Sequence, residues 1–552
     1  MLPARTQDKP AQESSSLART ETMEDQSLSD RSQMTLATNN NTEGPPAHII
    51  SKASVALPPV TTTADADIDI ELSTLGQDDG NHLYEVQWEG GDADPLNPRS
   101  FSTFRKWVIY NIVCSSALCV TFASSVYAST YGQLMPEFGI SRLVATVGLS
   151  LYIIGLAFGP LMLAPLSEFY GRRKIYLTSF TFFLIWLVPE AAAQNIATML
   201  VGRLLCGLSG SAFLAVAGGT AGDLFARNQL QAPMVMFTAA TMVGPSVGPV
   251  VGGFINQYAS WRWTFYLLII WSAIDLVLLT FFVPETYHPT LLRDKARKLR
   301  ADTGDGRWFA SIEKTKKSIP RTVAIATRRP FEMLIFDPMC LNLCILSALL
   351  LGIVYLFFGA FGVVFVGNYG FSLSELGLTF LGLFAGVIMG AVCQPWVYKD
   401  YLRRNKRREE LTGEIGVSEP EYRLPPAIAG AVLVPVGLFI FAWTCFPNIH
   451  WIVPIIGSAI FSMGCLFVFS GVQTFQVDAY PLYAASALGA NTFARCSFGA
   501  IFPLFGVQMY ERLGDHWATS ILAFLTLAMM PFPYIFYRYG KRIRARSRFA
   551  SA

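Results

Sequence analysis

Between Trp107 and Tyr537 the chain repeats one pattern, an apolar run of about twenty residues followed by a polar loop. That length is decisive, because roughly 20 helical residues cross the hydrocarbon layer of a bilayer. The runs lie near 107–128, 144–165, 175–194, 196–217, 232–256 and 263–284, then near 339–366, 374–397, 427–446, 451–473, 484–508 and 517–537. Within hydrocarbon each backbone N–H and C=O must be satisfied inside its own segment, so such runs become helices. Only 15% of the 552 residues are charged, against about 25% in soluble domains. The expected fold is an all-α membrane protein of twelve transmembrane helices in two six-helix pseudo-repeats.

Loop charges orient the spans. "GRRK" (171–174), "RDKARKLR" (293–300), "KTKK" (314–317), "KDYLRRNKRR" (399–408) and "GKRIRARSR" (540–548) lie on one side, and only Arg142, Arg262 and Arg512 on the other. Basic loops stay in the cytosol, which places both termini there. The expected organisation is a disordered cytosolic tail over 1–100, a first bundle over 101–285 and a cytosolic loop over 286–337. A second bundle over 338–538 and a basic tail over 539–552 complete it. The tail reading rests on a Ser/Thr-rich stretch such as "LARTETMEDQSLSDRSQMTLATNNNTEG", too polar to offset its ordering entropy. Asn40 stands in an N-x-T sequon that cytosolic placement leaves unused. The nine cysteines lie in or at the ends of apolar segments with no metal-ligand or redox spacing, and read as small buried hydrophobes. No metal site is expected. A net charge of +3 does not point to a nucleic-acid partner.

Two features inside the spans are unusual for helices. "VGPSVGPVVGGFI" (243–255) gathers glycines and prolines in one run. Ala240, Gly244, Gly248 and Gly252 recur every four residues and line one face, as close helix packing in membranes requires. Pro245 and Pro249 each remove an N–H and free the carbonyls of Thr241 and Pro245. This helix is either a tight packing element or a hinge and seal. The second feature is a set of buried ionisable positions, Arg203, Asp275 and Arg495. A charge at the centre of a span costs at least roughly 2.5–3.5 kcal/mol, so it should face a cavity or a partner. Arg203 shares a face with Gly207 and Gly210, and Arg495 with Asn491 and Gly499. Arginine keeps its proton at ordinary pH, so its role in coupling would act through a carboxyl. Asp275 is the candidate, and whether it meets Arg203 is open.

Span 2 ends in "APLSEFYGRRK" (164–174), span 4 contains "GRLLCGLSG" (202–210) and span 5 contains "GPSVGPVVGG" (244–253). Together these resemble the loop 2–3 signature, the span-4 arginine motif and the span-5 antiporter motif of the major facilitator superfamily. The resemblance covers about residues 85–550 and is closest to the fungal twelve-span drug:proton antiporters. It is carried further by "VQWEGGDADPLNP", "WRWTFY", "VPETYHPTLLRDKARKLR", "YRLPPAIAGA" and "DAYPLYAASALGANTFAR". It implies a proton-coupling role for Arg203 and a cytosolic latch of Glu168, Gly171, Arg172, Arg173 and Asp223. Gly244, Pro245, Gly248, Pro249, Gly252 and Gly253 would form the seal. Ala164, Glu168 and Ala240 depart from the family pattern, and "LFARNQLQAPM" lacks its Arg-Gly pair. "QPWVYKDYLRR" (394–404) echoes the first-half loop at the equivalent place in the second half, as two parallel repeats with a midplane site would show.

The resulting expectation is a monomeric multi-pass plasma-membrane efflux transporter, the vacuolar membrane being the alternative. Its partners would be protons, lipid and an amphipathic small-molecule substrate such as a drug, toxin or secondary metabolite. A polyamine or organic-acid exporter of the same fold is the alternative function. No GxxxxGK[S/T] phosphate loop occurs, so the proton gradient is the expected energy source and no cofactor is expected. Nor is there the clustered His, Asp or nucleophile set of an enzyme.

Overall fold

The computed structural model describes residues 84–226, 229–314, 318–413 and 419–550. Each predicted run is helical there. In the first bundle α1 is Thr103–Val126, prolonged through Tyr127–Thr130 and Tyr131–Phe138. It is followed by α2 (Arg142–Tyr170), α3 (Arg172–Ala191), α4 (Ile196–Gly210, resuming as Ala212–Leu224), α5 (Gln231–Tyr258) and α6 (Arg262–Phe282). The linker carries α7 (His288–Thr303) and α8 (Ile319–Phe336). The second bundle comprises α9 (Pro338–Phe361), α10 (Leu381–Thr412) preceded by Leu373–Thr379, α11 (Pro425–Thr444), α12 (Ile452–Ala479), α13 (Ala484–Leu513) and α14 (Asp515–Met529, continuing as Pro531–Arg544).

Ten spans are long and apolar enough to cross a membrane by length and composition. The other two predicted spans, α3 and α13, have 20 and 30 residues and carry Glu190 and Arg495. The outer face of α6 shows what surrounds the fold: Ile270, Ile274, Val277 and Phe281 lie on one stripe and are all exposed. An apolar stripe turned outward is the inverse of a soluble helix and suits lipid. Eight of the nine cysteines are buried, Cys393 is partly buried, and all are free, as their apolar setting suggests.

The bundles meet along three seams. In one, α2 packs on α13, where Ser150 Oγ donates to the Ala500 carbonyl at 2.6 Å and Phe158 packs edge-on against Phe493. In another, α1 meets α9 through the hydroxyls of Ser124 and Tyr355, 2.8 Å apart. The third joins α5 to the start of the eighth span: a Cβ on Gly253 would stand 2.7 Å from the Leu373 carbonyl, and one on Gly377 2.6 Å from that of Pro249. Gln257 Oε1 accepts from the Ser374 N–H at 2.6 Å beside it.

The glycine–proline segment stays α-helical through both prolines. Its glycine face lies on α1, where Gly244 meets Thr121, Gly248 meets Ser125 and Gly252 meets Ser129. Ser125 Oγ donates to the Gly244 carbonyl at 3.1 Å. Gly253 lies on the facing bundle instead, so α5 is held closely on two sides. The close-packing expectation for this helix therefore holds on two of its faces.

One sequence expectation fails here. Residues 84–100 were assigned to a disordered tail, but they are ordered against the linker. Val86 donates to the Phe309 carbonyl at 2.9 Å and Phe309 to that of Tyr84 at 3.1 Å. Val86, Ala296 and Ala310 bury a small core packed by Trp308 and Leu299, and Lys295 Nζ reaches Glu89 and Asp94 at 3.0 and 3.5 Å. The apolar partner is supplied by a distant segment, so local composition did not reveal it. Asn40 lies outside the described residues.

The α1–α5 contact leaves no room for a side chain at Gly248, where a Cβ would stand 2.9 Å from the Val126 nitrogen. Gly248→Leu should cost about 1–3 kcal/mol through overpacking, read as a lower melting temperature in detergent. An unchanged melting temperature would show that the two helices separate freely.

Candidate functional site

Asn195 caps α4, accepting from the Thr198 N–H at 2.9 Å, and two turns later the helix presents Arg203 to the interior of the first bundle. Glycines make this approach possible: a Cβ on Gly202 would stand 2.8 Å from Glu190 Cγ, and one on Gly207 would strike the Tyr152 backbone. Arg203 is fully buried, as is Glu190 near the end of α3, and Nη1 lies 3.6 Å from Glu190 Oε2. The guanidinium also donates to α1 carbonyls, Nη1 to Ala123 at 3.0 Å and Nη2 to Ser124 at 3.5 Å. The rings of Tyr127 and Tyr152 lie 4.5 and 4.2 Å from its central carbon.

This pair is loosely satisfied. Among the described residues neither Glu190 oxygen nor Arg203 Nε has a hydrogen-bond partner. Two desolvated charges repay their burial only with good geometry and full hydrogen bonding, so the balance between ionised and neutral Glu190 is readily tipped. Neutralising Glu190 would leave Arg203 held by α1 carbonyls and two aromatic faces. The same α1 turn reaches the second bundle. Ser124 Oγ gives its hydrogen to the Thr121 carbonyl at 2.6 Å, so at the 2.8 Å contact Tyr355 is the donor.

Asp275 does not meet Arg203; its two oxygens accept from Ser115 Oγ at 3.1 and 3.2 Å, bridging α6 to α1. Glu190 lies inside the third apolar run, 175–194, and is not among the ionisable positions singled out in the sequence. Its helical spacing within that run cannot show that it turns inward. In the second bundle Asn491 donates to Gln476 Oε1 at 3.1 Å and to Ser347 Oγ at 3.5 Å. One turn on, Arg495 lies over the Phe469 ring at 5.0 Å.

α2 stops at Gly171, whose φ of +93° is a conformation glycine adopts without strain. Arg172 then pairs with Asp223 at 3.2 Å, donates to Ser167 Oγ at 2.6 Å and lies over Tyr287 at 4.6 Å. Burial raises the Tyr287 hydroxyl to about 12. Arg173 donates to the Thr280 carbonyl at 2.7 Å. Glu168 is exposed and, among the described residues, forms no ion pair, so it does not join Arg172 as the latch reading required. Its side chain follows Ser167 by one position and turns 100° away on the helix. The carboxylate that does join is Glu285, after α6: it accepts from the N–H groups of Arg172 and Arg173 at 2.8 and 3.2 Å, where the start of α3 favours negative charge.

The second half repeats the arginine–aspartate pair in the same sense and places the further carboxylate on the opposite element. Arg423 before α11 pairs with Asp478 near the end of α12 at 2.8 Å and lies over Tyr401 at 3.8 Å. Glu421 takes a two-pronged contact from Arg544 of α14 at 2.9 and 3.1 Å. The sequence echo at 394–404 contributes Tyr401 to this cluster, while its Asp400 and Arg404 pair with each other at 2.6 Å.

Two six-helix halves, matching clasps at corresponding helix ends and a buried arginine at bundle depth define a transporter of the major facilitator type. Residues 113–503 match the profile described as Major Facilitator Superfamily. The efflux pump atB of Aspergillus terreus is 50% identical over 84% of this chain and 89% of its own length. The probable drug/proton antiporter YHK8 of Saccharomyces cerevisiae is 42% identical over 88% and 94%. The multidrug transporter mdrA of Aspergillus fumigatus is 39% identical over 85% and 76%. Among solved structures, the xylose transporter XylE from E. coli superposes with a TM-score of 0.54 at 15% identity, covering 79% of this chain and 99% of that one, which bears on fold alone. The chain belongs to the major facilitator superfamily and, within it, to the fungal drug:proton antiporter family.

Removing one partner of a buried pair costs about 3–5 kcal/mol. Arg203→Leu should therefore lower the unfolding midpoint strongly, and adding Glu190→Leu should restore most of the loss. If the double variant is no more stable than Arg203→Leu, the two charges are not coupled.

Proposed function

We propose that the chain is a proton-coupled exporter of amphipathic small organic compounds, drugs, toxins or secondary metabolites, working by alternating access in the plasma membrane with both termini in the cytosol. The observation that carries this reading is the buried Arg203–Glu190 pair and its link through Ser124 to Tyr355 of the other bundle. Efflux pumps and a probable drug/proton antiporter among the relatives support the direction of transport and its coupling. The exporter reading also fits the tight glycine face of α5 against both α1 and the eighth span.

In this mechanism a proton arriving from outside neutralises Glu190. Arg203 then leans fully on the Ala123 and Ser124 carbonyls, which changes the hold of α1 on Tyr355 and so the seam between the bundles. Proton release to the cytosol restores the ion pair. The clasps at Arg172–Asp223 and Arg423–Asp478 open and close with the cytosolic mouth. Each elementary charge that moves with the field gains roughly 2.3 kcal/mol per 100 mV, which sustains uphill export without a phosphate-bearing cofactor. The groups facing Glu190 are Arg203 and Cys206 of α4, Tyr152 of α2 and Tyr127 after α1.

The test uses inside-out vesicles with an imposed pH gradient, recording proton movement as a panel of amphipathic compounds is added. Wild type and Asp275→Asn should discharge the gradient with at least one compound, while Glu190→Gln and Arg203→Ala should not. Coupling lost in Asp275→Asn but kept in Glu190→Gln would move the proton site to α6. Compounds that equilibrate without moving protons would make the chain a uniporter.

A further inference from the structure

The two interior arginines are treated differently by the fold. Arg203 has a carboxylate beside it, whereas Arg495 has none within ion-pair distance among the described residues, and its buried Nε lacks any hydrogen-bond partner. The acids of the second bundle are engaged elsewhere: Asp400 with Arg404, Asp478 with Arg423, and Asp515 with Asn368. Those of the first bundle interior are held by Arg203 and Ser115. The titratable groups nearest Arg495 are Cys496 on its own helix and Cys344 and Tyr355 of α9, none of them a carboxylate.

The position of this cation matters as much as its lack of a partner. One turn further along α13, a Cβ on Gly499 would stand 3.2 Å from Tyr355 and 3.6 Å from Ile153 of α2, so α13 faces the seam between the bundles here. One turn earlier Asn491 is buried with its Oδ1 unpartnered, a second polar group on the same face. Transporters of this architecture hold substrate near the midplane between repeats. A permanent cation in that place, partly buried and left without a counter-ion by the protein, demands one from outside.

We infer that Arg495 binds the acidic group of the transported compound, and that the substrates of this exporter are amphipathic organic carboxylates. This rests on the exporter reading above and selects its substrate class. A guanidinium presents paired donors that match a carboxylate, and the apolar walls around Phe469 and Ile153 receive the hydrocarbon body. Asn491 Oδ1 accepts a neighbouring hydroxyl or N–H of the same ligand. A membrane potential negative inside drives such an anion outward, in the sense export requires. Neutral and cationic analogues leave Arg495 unpaired and are selected against.

The experiment measures binding to the purified full-length protein, by quenching of tryptophan fluorescence, for a panel of aromatic and aliphatic monocarboxylates, each paired with its own amide. At neutral pH at least one acid should bind tenfold or more tightly than its amide. Arg495→Gln should erase that preference and leave amide binding within about twofold, and Arg495→Lys should keep part of it. The preference should also vanish as pH falls through the ligand's own carboxyl pKa, about 4. The inference is overturned if no acid in the panel outbinds its amide on wild type, or if the preference survives Arg495→Gln. Failure of the exporter reading looks different: acids bind in an Arg495-dependent way, yet vesicles neither move them nor exchange protons for them.

Discussion

A charge in hydrocarbon must find a partner, and that requirement organises the interior of this protein. Arg203 is accommodated by four separate contributions, from Glu190 on α3, two carbonyls of α1, Tyr127 after α1 and Tyr152 on α2. No one of them would suffice in a low-dielectric setting. Together they pin α1, α2, α3 and α4 to a common point, so a change in the charge of Glu190 is felt by all four helices. Because the ion pair is long at 3.6 Å and its hydrogen bonding incomplete, the protein has kept this point adjustable.

The same economy of charge appears at the loop ends of the bundles, where water weakens each pair but geometry makes the pairs cooperate. In the first half Glu285 binds the opening N–H groups of α3 while Arg172 holds Asp223, tying the sixth, third and fourth spans at one spot. In the second half Arg544 and Glu421 join the twelfth span to the ninth, and Arg423 and Asp478 join the tenth. Two clasps with the same arginine–aspartate pair at corresponding helices are what a duplicated six-helix unit yields when each copy keeps the same mechanical need. The folded strap at residues 84–100 adds a tie of its own, since Arg99 donates to the Gly222 carbonyl at 3.2 Å, next to Asp223.

Packing explains how the bundles can both hold and move. Where they touch, small residues bring backbones together, as at Gly253 and Gly377, and single hydroxyl contacts supply direction, as at Ser150 and at Ser124. In lipid the helices gain no hydrophobic advantage by associating, so close van der Waals contact has to carry the interface. Such seams rest on fit over a narrow line and can shift between two arrangements without exposing new apolar surface to water.

Much of this was legible in the chain itself. The apolar runs and their grouping follow from local hydrophobicity, because the bilayer acts on each segment alone. Arg203, Arg495 and the glycine face of α5 stand out for the same reason, as residues that violate the solvent around them, whereas Arg172 and Asp223 are what the family resemblance implies. Partner choice was not legible. Glu190 rather than Asp275 meets Arg203, Glu285 rather than Glu168 joins the clasp, and Val86 finds its core on the linker, because each contact joins helices or segments far apart in sequence. Which face of α3 turns inward depends on how it crosses α4, where Gly202 sets the approach. Local sequence determined where this protein needed partners, and only the crossing of helices in three dimensions decided which partners they were.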